Sequence, residues 1–242
     1  MPHSTSVLCG ILFATASRMA HAQAAEVVQT LEHGSIAFLF RPRVEEQHPD
    51  ELQDVQRLLL LLTPNGSAFQ RAIAVGRKRL PRSARRDRFW GFVDLVLTHY
   101  DMNAALGAQV YGTKTRGLRH LPAARVFAEG TYEIALHDGH AHFSWCVTRI
   151  AADEPLANEI ELEEEADYIL TVANPDPAAW GLTEPPDLQT TLFDDLELHV
   201  PLPTPFPPSL QQRFRNRRFT QLDSIEWLDH PGAELVFIGA GE

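Results

Sequence analysis

Cysteine is scarce. Cys9 and Cys146 are the only two in 242 residues, too few for a disulfide framework or a thiolate zinc site. Long apolar runs are missing too; none approaches the roughly 18–20 residues that cross a bilayer, so no transmembrane segment is expected. Neither a P-loop nor a dinucleotide fingerprint occurs, and no stretch repeats at a fixed period. These absences exclude a stapled mini-scaffold, a helical membrane protein, a P-loop nucleotidase and a solenoid.

What is present is an ordinary core-forming composition with an uneven charge. Hydrophobic residues make up 44% and charged residues 22% of the chain, whose formal charge is -11. Residues 66–125 hold twelve Lys/Arg against Asp87, Asp94 and Asp101, a local excess of +9, so the rest of the chain carries -20. Such asymmetry suggests an anionic partner for the basic part, or mutual neutralisation of the two parts in the folded chain.

Two basic stretches carry this excess. Tyr111–Arg125 (Y-G-T-K-T-R-G-L-R-H-L-P-A-A-R) has Lys114, Arg116, Arg119 and Arg125 and no acid. Its glycines, threonines and proline predict a loop with hydroxyls and backbone N–H groups open to an anion. Gly76–Arg88 (G-R-K-R-L-P-R-S-A-R-R-D-R) is the most basic window and adds Arg77, Lys78 and Arg79. It interleaves no aromatics, which argues against a stacking platform for single strands. The ligand classes this implies are phosphate, carboxylate or nucleic acid.

The clearest local signal is a hairpin. Thr131–His137, Asp138-Gly139 and His140–Ile150 fit two strands joined by a two-residue type I′ turn. Alternation puts Ile134, Leu136, Ala141, Phe143, Trp145 and Val147 on the core side. His137, His140 and His142 then share the other face near the tip, a spacing that could hold a divalent metal with an open position for water, as in a metal-dependent hydrolase. No carboxylate to orient these imidazoles can be named from the sequence. Ser144 and Cys146 are poor nucleophile candidates because both sit mid-strand.

Around these motifs the pattern predicts an α+β fold: a mostly antiparallel sheet of six to eight strands with a few short helices. Strands are expected within 34–44, 89–97, 166–174 and 233–240, with a further hairpin through Pro64-Asn65-Gly66. Short helices are expected from Asp50 to about Arg57, over 101–109 behind Asp101, and from Ser209 to about Arg217 behind a capping box with Gln212. Alternating Glu159, Glu161 and Glu163 suggest an acidic edge strand. Residues 26–242 read as one domain, with a connector over 175–208 that holds nine of the 17 prolines and has room for a short strand over 196–200.

Residues 1–25 read as an extension outside the domain. Val7–Ala16 and Ala22-Gln23-Ala24 resemble a signal peptide, whereas the lack of a basic residue before Val7 favours a cytoplasmic chain, for which Met19 offers a natural start that would make the first 18 residues a start-site error.

The set G-S-I-A-F-L-F-R-P-R-V (34–44), V-G-R-K-R-L-P (75–81), W-G-F-V-D (90–94), T-K-T-R-G-L-R-H-L-P-A-A-R (113–125) and G-A-E-L-V-F-I-G-A (232–240) resembles a family of uncharacterised bacterial proteins of about this size. That resemblance implies no activity, ligand or partner. Three functional classes therefore stand: an anion-binding module, a metal-dependent hydrolase, and an accessory protein that docks to another protein.

Overall fold

The computed structural model describes residues 28–76, 78–80, 82–151, 156–181 and 206–241. Strands β1 (Gln29–Pro42), β2 (Val55–Pro64), β3 (Phe69–Val75) and β4 (Arg88–Thr98) form an antiparallel meander. Helix α1 (His99–Leu106) and a small hairpin, β5 (Gln109–Thr113) with β6 (Gly117–Leu121), follow. A second meander consists of β7 (Arg125–His137), β8 (His140–Ile150) and β9 (Glu165–Ala173). The short β10 (Phe219–Gln221) lies beside β9, and β11 (Glu234–Gly239) fits between β4 and β9.

Because β1 also pairs with β7, the order β1-β2-β3-β4-β11-β9-β8-β7 returns to β1. The sheet is mostly antiparallel with a few short helices, as expected, but it closes into an eight-stranded barrel with β10 outside the ring. Closure leaves the barrel strands no unpaired edge.

Eight strands enclose a lumen that side chains can fill, and here aromatic rings fill it. Phe38, Phe40, Phe89, Phe127, Phe143, Trp145, Tyr168 and Phe237 are all buried in one cluster. Phe89 stacks on Phe237 at 4.5 Å between ring centres, and Trp145 lies 5.0 Å from Tyr168. One rim, where the β2–β3 and β7–β8 turns lie, is stoppered by Phe206, Leu210, Phe214, Trp227 and Leu228 from the chain before β11. Arg71 is buried beneath this stopper, bonded to Asp229 at 2.7 Å and to Glu32 at 2.6 Å. A ligand site must therefore lie outside the lumen.

The opposite rim carries the β1–β2, β3–β4 and β8–β9 connections. Helix α1 leads the chain back towards it along the outer wall, burying Met102 and Leu106 against Leu39, Leu59, Ala72, Ala74 and Phe92. Arg41 then fixes the helix exit by donating to the carbonyls of Ala105, Pro122 and Gly107 at 3.0, 3.2 and 3.4 Å.

Several local expectations are corrected. The predicted helix over 50–57 is only a 3-10 turn at Leu52–Asp54, because the leucine run after it belongs to β2. Helix α1 begins before Asp101, since Thr98 rather than Asp101 caps it, its Oγ1 accepting from the Asp101 N–H at 3.3 Å. The loop expected over 111–125 is largely the β5–β6 hairpin. The acidic edge strand over 159–163 does not form; a helical turn at Leu156–Glu159 stands there instead, and the glutamates brace neighbouring loops. The helix expected after Ser209 is one turn, Pro208–Gln211, followed by a 3-10 turn, with no side-chain cap. The extension 1–25 and the strand considered at 196–200 lie outside the described residues.

Candidate anion-binding site

The basic end of the barrel begins with how strands stop. Val75 ends β3 and Arg88 begins β4, so the arginine-rich window is the connection between two neighbouring strands at the rim. Its backbone is held from several sides. Leu80 N–H donates to Ile160 O at 3.2 Å, and Ser83 N–H donates to the Glu163 carboxylate at 2.8 Å. From the C-terminal side, Gly239 N–H donates to Asp87 O at 3.0 Å and Gly241 N–H to Ser83 O at 2.9 Å. Glycine is required there: a Cβ on Gly239 would lie 1.9 Å from Arg85 O, and one on Gly241 2.2 Å from Ala84 O.

This fixed loop walls an open cleft of about 850 Å³. Lys78, Arg79, Arg82, Arg85 and Arg88 line it, against Asp87 and Glu161 as the acids, with Leu52 and Gln53 on the far wall. Arg79 has Glu161 at 3.6 Å, both side chains well exposed, an arrangement that holds little energy in water. Arg82, Arg85 and Arg88 are exposed and make no ion pair or side-chain hydrogen bond among the described residues. Three guanidinium groups are thus available as fork-shaped donors, on a loop whose backbone is hydrogen-bonded at Leu80, Ser83 and Asp87.

The second basic stretch is placed differently. Lys114 and Arg116 sit at the β5–β6 turn, where Arg116 N–H donates to Thr113 Oγ1 at 2.9 Å. Arg119 lies 3.6 Å from Glu45, which also accepts from His120 N–H at 2.9 Å, and Arg125 donates to Gln47 O at 2.6 Å. Arg125, together with Glu45 N–H donating to His120 O at 2.8 Å, fastens the hairpin to the β1–β2 connection. Lys78 and Arg79 therefore join the cleft, whereas Lys114, Arg116, Arg119 and Arg125 do not line it. Arg77 lies outside the described residues. Arg82, Arg85 and Arg88 were missing from the expected set; the signal for them is arginine density between two predicted strands.

The histidines are at the stoppered rim, away from the cleft. His137 faces His140 across a turn whose Asp138 and Gly139 both have positive φ, as a type I′ turn needs. The rings of His137 and His142 are 5.5 Å apart. Among the described residues no group of three or more His, Cys, Asp or Glu is placed to hold a metal ion, and His137, His140 and His142 are neighbours at the turn. Instead His142 Nδ1 meets Asp167 Oδ2 at 2.9 Å, and that hydrogen bond raises the His142 pKa above its ordinary value while burial opposes the rise. Asp167 was not nameable from the sequence because only the β8–β9 register, Ser144 opposite Asp167, brings it alongside.

No helix among the described residues is long and apolar enough to cross a membrane. No protein-family model, curated protein or solved structure matches the chain.

Proposed function

We propose that this chain is a binding protein for an anionic ligand, held in the rim cleft by Lys78, Arg79, Arg82, Arg85 and Arg88. The observation that carries the reading is the gathering of Arg82, Arg85 and Arg88 along one cleft with no ion pair or side-chain hydrogen bond among the described residues, whereas Arg125 of the other basic stretch donates to the chain's own Gln47 carbonyl and lines no cleft. Glu163 bonds the loop's backbone at Ser83 rather than an arginine side chain, and so braces the loop without pairing with Arg82, Arg85 or Arg88. A filled lumen leaves the rim as the place for a ligand.

Thermal unfolding with added inorganic phosphate, against chloride at matched ionic strength, tests this. A ligand that binds only the folded state raises the melting temperature as its concentration passes Kd. The rise should appear in the wild-type chain and vanish in Arg82→Ala/Arg85→Ala. An equal rise in both proteins would remove the cleft from the account.

A docking role has one observation in its favour. Val110 and Leu118, 60% and 71% exposed, lie on the same face of the β5–β6 hairpin behind Lys114 and Arg116. Membership of the bacterial family named above rests on the quoted motifs and is likewise a proposal.

A further inference from the structure

We infer that the cleft takes a compact small molecule bearing two or more phosphates, gripped through those phosphates alone. This rests on the anion-binding reading above and narrows it to one ligand class.

The described lining is positively charged: Lys78, Arg79, Arg82, Arg85 and Arg88 stand against Asp87 and Glu161, a net +3 among the described residues. Arg82, Arg85 and Arg88 line the one cleft; three guanidinium forks ask for three pairs of oxygens, more than the four oxygens of one tetrahedral anion, and linked phosphates give each fork its own pair.

Size points the same way. A cleft of about 850 Å³ lies within the roughly 300–1,000 Å³ of ordinary small-molecule pockets, far more than a lone phosphate fills. The lining offers a base or other flat ring no aromatic face: Phe89 is 1% and Leu80 2% exposed, and Leu52 is the partly exposed apolar side chain of the lining. An arginine plane spent on stacking a ring would be lost to the phosphates.

The surroundings set the ligand's length. Asp50, Glu51 and Glu161 are exposed around the cleft, and the whole chain is at -11. A long nucleic acid would run off the arginine loop onto this acidic surface and lose what it gained, whereas a compact polyphosphate ends inside the cleft. The loop's backbone bonds to Ile160, Glu163, Gly239 and Gly241 leave mainly the arginine side chains to be ordered when the ligand arrives.

Isothermal titration of the full chain with four probes tests the inference: orthophosphate, tripolyphosphate, ATP and a short DNA duplex. Tripolyphosphate should bind at least about tenfold more tightly than orthophosphate, a difference of about 1.4 kcal/mol. ATP should match tripolyphosphate within about threefold, since the base adds nothing. The duplex should bind more weakly than either. Equal affinity for orthophosphate and tripolyphosphate would overturn the polyphosphate inference and leave the anion-binding reading standing. ATP binding far more tightly than tripolyphosphate would overturn it by showing base recognition, and a tighter duplex would make nucleic acid the partner. No binding of any probe would defeat both readings.

Discussion

Ser83 donates its backbone N–H to the Glu163 carboxylate at 2.8 Å, so an acidic residue of the β8–β9 connection supports the arginine loop from beneath. The acid serves the loop's shape, and the arginines beside it keep their charge for something else. Glu163→Ala should therefore weaken anion binding without removing a single cation. The lost hydrogen bond costs about 1 kcal/mol of stability, and denaturant unfolding alongside phosphate titration measures both effects.

Gly239 approaches the same loop from the other side, where a Cβ would meet Arg85 O at 1.9 Å and Ser83 O at 2.7 Å. Gly239→Ala must push backbone against backbone. We expect a loss of about 1–3 kcal/mol in chemical denaturation, in the range for overpacked sites, together with weaker anion binding because the loop shifts. A variant as stable as wild type would show that the C-terminal strand does not position the loop.

At the stoppered rim, buried Arg71 holds Glu32 and the half-exposed Asp229, while Tyr132 OH donates to Glu32 at 2.7 Å. Arg71→Met leaves the Glu32 carboxylate buried with only the tyrosine. Breaking a buried pair from one side costs about 3–5 kcal/mol; we expect about the lower figure, because Asp229 can turn to water. Anion binding at the far rim should be unchanged once the protein is folded.

The His142–Asp167 pair makes stability depend on pH in a defined direction. Its hydrogen bond raises the folded-state pKa of His142 above its ordinary value. The contribution is therefore fully present below the unfolded histidine pKa, about 6.5, and disappears as pH rises through the folded value. Melting temperature followed from pH 5 upward should fall across that interval in wild type, and the step should be absent in Asp167→Asn. An NMR titration in which His142 keeps an ordinary pKa would contradict the assignment.

Much of the wall was legible before any coordinates, because its signals are local. Asp138-Gly139 between alternating strands predicts both the turn and the sorting of Ala141, Phe143 and Trp145 inward, and the register agrees. Closure was not legible, since β11 inserts between β4 and β9, strands remote from it in sequence, and nothing local announces such a pairing. The β5–β6 hairpin was hidden by a loop-like composition; its placement depends on Arg41 and Glu45, more than sixty residues upstream. The site was half legible for the same reason. Arginine density marks both basic stretches alike, and only the fold decides which are tied to Glu45 and Gln47 and which are left in the cleft.

That division gives the most direct measurement. Tripolyphosphate affinity is to be compared among wild type, Arg82→Ala/Arg85→Ala and Lys114→Ala/Arg116→Ala, each pair removing two exposed cations. The first pair should lose about tenfold or more, the equivalent of about 1.4 kcal/mol, and the second no more than about twofold, because its cations do not line the cleft and act through screened long-range charge. A larger loss from the Lys114/Arg116 pair than from the Arg82/Arg85 pair would contradict that prediction and move the site to the hairpin.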